Sequence, residues 1–278
     1  MTPLEFMLLA FGVSLAAGLF GAVLGLGGGI VVVPALTLLL GIDIRYAIGA
    51  SIISVIATSS GAGAAYVKGR LTNIRVSMLL ETATTAGAIA GAFLAGIVSG
   101  RWLYLVFGLV MGYAAFGMWR RPRQPPADEA RPDRLADRLG LHGSYFDEAS
   151  GREVRYRATH TPGGLAVSGL AGVISGLLGV GGGVIKVPMM NLVMRLPLKV
   201  ASATSSFMIG VTAAASAGVY FYRGDINPFI AGPVALGVVA GAVIGSRILN
   251  RLHSAVVQAI FTAVLVLVAI QMIWKGLQ

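Results

Sequence analysis

Two stretches of the chain, GLGGGIVVVP at 25–34 and GVGGGVIKVP at 179–188, carry residue types suited to holding an anion in apolar surroundings. Each has three consecutive glycines: Gly27, Gly28 and Gly29 in one, Gly181, Gly182 and Gly183 in the other. In a helix interior each glycine costs about 1 kcal/mol relative to alanine, so three in a row predict a break. A helix that restarts after the break turns its N-terminal N–H groups and positive dipole end toward it. In hydrocarbon such groups are costly unless they line a cavity or bond a ligand. Two such ends facing each other would hold an anion near the middle of a membrane. The plainer alternative is that the glycines form only the tight turn of a hairpin. Pro34 and Pro188 follow in the restarting segments, where each leaves a carbonyl unpaired and adds a kink.

Other polar residues stand close by in sequence. Lys186 is the one basic residue inside an apolar segment, to be read either as an anion ligand or as a side chain snorkelling to the interface. Glu81, in VSMLLETATTAGA, is the one acid clearly inside a span. It is a candidate for proton coupling, or else half of an interfacial ion pair with a nearby Arg or Lys. Ser51, Ser54 and Thr58 share a helix face by their spacing, and Thr204 and Ser205 lie in the corresponding stretch of the second half. These hydroxyls, joined by Asn191, could bond anion oxygens or simply pack helices together. Tyr66 and Tyr220 precede loops and are expected at the membrane interface. Arg45 and Lys199 flank spans, as anchors or as attractors of anions. No catalytic set appears: the spans hold no Ser–His pair, HExxH motif or Asp pair. His142, His160 and His253 stand alone, with no metal-ligand spacing, and there is no cysteine. GLGGG lacks the Lys-Ser ending and the βαβ setting of a nucleotide-binding loop.

The elements that must position these residues follow from composition. The chain has 278 residues, 56% hydrophobic and only 12% charged. Half of the 32 charged residues (21 basic, 11 acidic) fall within 120–163. Too little charge remains elsewhere to cover a water-facing surface, which excludes a soluble enzyme and a disordered chain. The net charge of +10 forms no continuous basic face, so no nucleic-acid partner is expected, and the positive-inside bias accounts for it. Runs long enough to cross a bilayer fall at 4–26, 47–67, 76–98, 102–119, 164–178, 201–221, 229–246 and 254–274, with shorter runs at 30–41 and 184–194. The first run carries Glu5 rather than a basic leader and is expected to be a retained membrane helix. Gly, Ala and Ser fill the runs, as in SGLAGVISGLLG, and suit close helix packing. Within 120–163, a Pro-rich linker, a short helix ended by Gly140 and a β-hairpin around Ser150-Gly151 are expected.

The chain is also duplicated. AGLFGAVLGLGGGIVVVP at 17–34 matches AGVISGLLGVGGGVIKVP at 171–188, an offset of 154 that also pairs Arg45 with Lys199, Ser51 with Ser205, Thr58 with Thr212 and Tyr66 with Tyr220. Three regions follow: a first membrane repeat, 1–119; a polar cytoplasmic insertion, 120–163; and a second membrane repeat, 164–278. With each glycine-rich segment a returning hairpin, each half has five segments and the second is inverted. Cytoplasmic loops then hold 16 basic residues against four outside. With each segment crossing once, eight spans form two parallel four-helix repeats and the count is 14 against 6. The expected fold is therefore an all-α polytopic membrane protein of two inverted five-segment repeats, with both termini outside.

GLGGGIVVVP and GVGGGVIKVP, doubled and each followed by basic-x-Ala-x-x-x-Ser, resemble the sulfite/sulfonate exporter family TauE/SafE over both membrane halves. The resemblance implies a secondary carrier of the bacterial inner membrane for small sulfur-containing or carboxylate anions, without a cofactor. The insertion is larger and more polar than the mid-loop of a minimal member. The expected function is export of sulfonates, sulfite or similar anions by alternating access, in the lipid bilayer, with room for an oligomer. An anion channel, or a membrane receptor or scaffold acting through the insertion, is the alternative.

Overall fold

The structure, a computed structural model, describes residues 2–119, 133–249 and 251–277. The Pro-rich stretch 120–132 lies outside them. The described chain is helical apart from one small hairpin. Its elements are α1 (Pro3–Leu24), α2 (Gly29–Leu39), α3 (Ile44–Lys68), α4 (Ile74–Ile97), α5 (Gly100–Trp119), α6 (Arg134–Leu139), β1 (Gly143–Asp147), β2 (Arg152–Tyr156), α7 (Thr161–Leu178), α8 (Gly183–Leu192), α9 (Leu198–Tyr222), α10 (Pro228–Leu249) and α11 (Ser254–Leu277). Seven described helices, α1, α3, α4, α7, α9, α10 and most of α11, are long and apolar enough to cross a membrane. The 20-residue α5 is likewise apolar. This is a polytopic helical membrane protein. At 1.5 Å per residue, α2 and α8 reach only about half of a 30 Å hydrocarbon core.

Element ends follow local chemistry. Thr2 and Glu5 cap α1 reciprocally. Asp133 accepts from the Leu135 and Ala136 amides to start α6, and Gly140, at φ +59, ends it. β1 and β2 pair antiparallel, with Gly143 opposite Tyr156 and Asp147 opposite Arg152. In α2, the turn after Pro34 widens to a π-helix over Ala35–Leu39, and Thr37 bonds back to the Val33 carbonyl at 2.9 Å. In α3, Ser59–Gly63 is a second π-helical stretch.

Packing between the halves is reciprocal. α1 lies along α10, α4 along α7, and α5 along α11. Glycines set the first two contacts. A Cβ on Gly18 would overlap the Val238 carbonyl oxygen, and one on Gly172 that of Thr84. A Cβ on Gly87 or Gly91 would strike the carbonyls of Gly169 or Val173. One on Gly241 or Gly245 would strike those of Leu15 or Leu19. Each contact in one pair has its counterpart 154 residues along in the other. Large apolar side chains such as Phe93, Leu109, Leu236 and Ile270 face outward, while the interior collects small residues and hydroxyls. Lipid gives helices no hydrophobic reason to associate, so main-chain proximity at small residues has to supply the attraction.

Gly91→Ala and Gly241→Ala are each expected to lower stability by about 1–3 kcal/mol through overpacking. Gly218→Ala, whose Cβ would meet nothing within 4 Å, is expected to be neutral or stabilising. Thermal unfolding in detergent checks all three.

Candidate functional site

Each glycine-rich segment breaks its helix and turns the chain back. α1 ends at Gly25, and the amides of Leu26 and Gly27 return to the Gly21 carbonyl at 2.9 and 3.3 Å. Gly28 then lies against Gly21 and Ala17, where α2 begins. In the second half the Gly179 amide bonds the Ser175 carbonyl at 2.8 Å, and α8 begins at Gly183. The glycines serve two purposes. Gly25, Gly27, Gly28, Gly179, Gly181 and Gly182 all have φ between +67 and +78, in the left-handed region that disfavours a side chain. Gly29 and Gly183 are ordinary in φ, but a Cβ would overlap Ser51 Oγ in one and the Gly25 carbonyl in the other. The break therefore starts two residues before the triple glycine, at Gly25 and Gly179.

The two tips meet. Gly27 and Gly181 both pack against Val55 and Ile209, which are themselves 154 residues apart. Residues 21–30 and 179–184 are buried throughout. Among the described residues, the amides of Gly28, Gly29 and Ile30 find no main-chain acceptor, nor do those of Gly182, Gly183 and Val184. Two sets of unbonded N–H groups are thus gathered at the centre of the molecule.

The predicted hydroxyls lie around the tips, and those of Ser51, Ser54, Thr58 and Ser205 have their protons committed to main-chain carbonyls. Ser51 Oγ donates to the Gly179 carbonyl at 2.7 Å, and Ser205 Oγ to the Gly25 carbonyl at 2.6 Å. Each half thereby satisfies the carbonyl at the broken helix end of the other. Thr58 Oγ1 bonds the Gly27 carbonyl at 3.1 Å, and Ser54 Oγ the Ser51 carbonyl at 2.7 Å. Thr204 Oγ1 accepts from the Asn73 amide at 3.0 Å. Asn191 stands apart, at the far end of α8, with its amide on the Leu196 carbonyl at 2.9 Å. Pro34 and Pro188 are buried one turn into α2 and α8. Sequence reasoning passed over Ser168 and Ser175, and it grouped Ser202 and Ser206 with the other hydroxyls of the second half; all four are buried with no hydrogen-bond partner among the described residues. Ser175 Cβ is 3.1 Å from where a Gly182 Cβ would sit. The seven-residue spacing of Thr161, Ser168 and Ser175 along one face of α7 was the available signal, hidden among residues that read as packing.

Lys186 does not snorkel. It is fully buried, and its Nζ bonds Thr212 Oγ1 at 2.6 Å and reaches Glu81 Oε2 at 3.5 Å. Thr212 Oγ1 in turn donates to Glu81 Oε1 at 2.6 Å, and Thr85 Oγ1 reaches the same oxygen at 3.1 Å. Glu81 is thus half of an ion pair, with Lys186 as its partner, inside the bundle. Lys186 Cε lies 3.3 Å from the position of a Gly182 Cβ, so the pair adjoins the second glycine tip.

Two expectations are corrected. Tyr66 and Tyr220 are buried, not interfacial. Their hydroxyls donate to the Ala22 carbonyl at 2.9 Å and the Gly176 carbonyl at 2.7 Å, near the C-terminal ends of α1 and α7, where carbonyls lack helix partners. Lys199 is no membrane anchor. It is buried and paired with Asp147 of the hairpin, whereas Arg45 is exposed. The insertion docks around this pair. Asn73 Nδ2 donates to the Leu141 carbonyl at 2.8 Å and to the Tyr156 hydroxyl at 3.1 Å, and the Thr159 amide donates to the Met194 carbonyl at 3.0 Å. His142 is held inside the insertion: Nδ1 accepts from the Ala158 amide and Nε2 donates to Asp137 at 2.7 Å. Partial burial opposes ionisation of Asp147, but the bonds from Lys199 and Ser150 outweigh it and hold the carboxyl below the ordinary carboxylate range.

The chain resembles proteins described as exporters or probable membrane transporters. The family model described as "Sulfite exporter TauE/SafE" matches residues 10–272. The chain is 27% identical over 270 residues to "Probable membrane transporter protein YunE" of Bacillus subtilis, covering 95% of this chain and 96% of that relative. It is 26% identical over 268 residues to a "Probable membrane transporter protein" of Xylella fastidiosa, covering 94% of each. No solved structure matches.

Lys186→Met leaves a carboxylate facing the core without its counter-charge, and is expected to cost about 3–5 kcal/mol. The double variant Lys186→Met/Glu81→Gln is expected to recover most of that loss in thermal unfolding. A depressed Asp147 stabilises docking above its unfolded pKa, near 3.9, and the contribution disappears as pH falls through the lower folded value. Protection factors of the 143–156 amides, corrected for the intrinsic pH dependence of exchange, are therefore expected to stay constant near neutral pH and to fall below about pH 4.

Proposed function

This chain belongs to the sulfite exporter TauE/SafE family of membrane transporters, and on that premise we propose that it is a secondary carrier exporting small sulfur-containing or organic anions, such as sulfonates or sulfite, by alternating access. It is a multi-pass membrane protein and not an enzyme. The observation that carries the proposal is the meeting of two glycine tips with unbonded amides in a buried core. Oriented N–H groups at helix starts favour negative charge, and a site that excludes water strengthens the attraction. Gly27, Gly28, Gly29, Gly181, Gly182 and Gly183 would offer main-chain donors to the anion, and Lys186 its charge. Ser51, Thr58 and Ser205 would hold the tips in place, Ser54 and Thr204 would brace the main chain beside them, and Ser175 and Ser202 would give free hydroxyls. The occluded tips suit a gated carrier rather than an open channel.

The architecture we propose is two inverted five-segment repeats in the bacterial inner membrane, with the 120–163 insertion cytoplasmic. The short α2 and α8 and the reciprocal contacts at an offset of 154 support it, because an odd number of segments turns the second half over. Carriers built from inverted repeats place the substrate where broken helices of the two halves meet. Moving one net charge across 100 mV is worth about 2.3 kcal/mol, so the membrane potential alone would favour export of an anion.

The test is thermal shift of the purified protein with a panel of sulfonates, sulfite, thiosulfate and short carboxylates, followed by flux in vesicles. At least one panel anion is expected to stabilise the wild type and to show saturable flux stimulated by counter-substrate. The Gly28→Ala/Gly182→Ala double variant, strained at two positions of positive φ, is expected to lose both. A wild type that responds to no anion on the panel overturns the proposal.

A further inference from the structure

We infer that anion binding at the second glycine tip is coupled to uptake of one proton by Glu81, with Lys186 exchanged from Glu81 to the anion through Thr212. The inference rests on the anion-site reading above and deepens it. As it stands, the cluster is neutral: a buried ammonium, a nearly buried carboxylate (side-chain exposures 0% and 12%) and a threonine hydroxyl that accepts from one and donates to the other. The positive side chain beside the second tip, Lys186, is therefore already occupied. An anion that takes Lys186 leaves Glu81 as a second negative charge in the same desolvated space, which is strongly unfavourable. A proton on Glu81 removes that charge. The balance is one anion and one solvent proton in, with no covalent bond broken. The proton joins a Glu81 carboxylate oxygen, and Lys186 stays an ammonium throughout.

Among the described residues, no other charged side chain bonds the cluster. α4 contributes Arg75, which bonds the Gly140 carbonyl at its first turn, and α7 has no titratable side chain. On α9, Lys199 is paired with Asp147, and Tyr220 and Tyr222 lie at the far end. Arg101 of α5 bonds the Gly276 carbonyl at 3.1 Å, and Arg223, beyond α9, is held by Asp225 and the Ala92 carbonyl. The device is confined to one half. The counterparts of Lys186 and Glu81 at the 154 offset are Val32 and Ala235, and Thr58, the counterpart of Thr212, directs its hydroxyl to the main-chain carbonyls of Ser54 and Gly27 instead.

The test is calorimetric titration of the full-length protein in detergent with methanesulfonate, an anion that does not itself titrate near neutrality. It is run at pH 7 in two buffers of different ionisation enthalpy, with any other responding panel anion as a second probe. About one proton is expected to be taken up per anion by the wild type, with affinity falling up to tenfold per pH unit as pH rises. Glu81→Gln is expected to take up none, to bind with pH-independent affinity, and to bind more tightly because Lys186 has lost its competitor. Glu81→Asp is expected to restore the uptake. Wild-type binding without proton uptake overturns the coupling and leaves the anion site standing, and this measurement decides even if the glutamine variant fails to fold. Proton uptake that persists in Glu81→Gln also overturns the assignment. Absence of binding by any panel anion removes the anion site itself and the coupling with it.

Discussion

A main chain that leaves helical geometry inside a membrane must find hydrogen-bond partners within the protein, and this requirement governs the centre of the molecule. Two helices stop short at Gly25 and Gly179, each exposing a carbonyl that lipid cannot satisfy. The solution is mutual: Ser205 from one half and Ser51 from the other each donate to the opposite helix end. Neither broken helix is complete without the other half. The same logic explains Tyr66 and Tyr220, which reach the last turns of α1 and α7 from the ends of α3 and α9. What remains after these bonds is a surplus of donors, the amides at the starts of α2 and α8.

Glycine does different work along the same helices. At the tips, six positions need a left-handed backbone. In α1, α4, α7 and α10, glycines let one backbone rest on the carbonyls of its neighbour. The two uses fit together, because the tips can meet only if the helices carrying them lie close. Symmetry ends at the charged cluster. Thr58 and Thr212 occupy equivalent places, yet one secures its tip and the other bridges a lysine and a glutamate. The doubled part of the chain builds the scaffold, and the unmatched residues differentiate its two sides.

Much of this was legible in the sequence. Runs of apolar residues gave the helices within a few positions, and the fixed offset of 154 announced that contacts would come in reciprocal pairs. The triple glycines marked the breaks because no other local pattern disfavours a helix so strongly. What escaped was whatever depends on a neighbour in space. Serines that clamp and serines that are free have the same sequence environment, so Ser51 could not be told from Ser202. Lys186 and Glu81 are 105 residues apart and were read singly, since nothing local reports an ion pair. Tyr66 sits near a loop, as belt residues do, and only the position of Ala22 shows that it points inward. Lys199 looked like an anchor because its partner lies in the insertion.

The insertion has a mechanical consequence. It grips Asn73, at the start of α4, through Leu141 and Tyr156, and it grips Lys199, at the start of α9, through Asp147. One small folded piece is therefore fastened to both halves, a splint laid across their seam. Any rocking of one half against the other at that end must carry the splint along or shear one of its fastenings. Force or occupancy applied to the hairpin is felt by both halves at once.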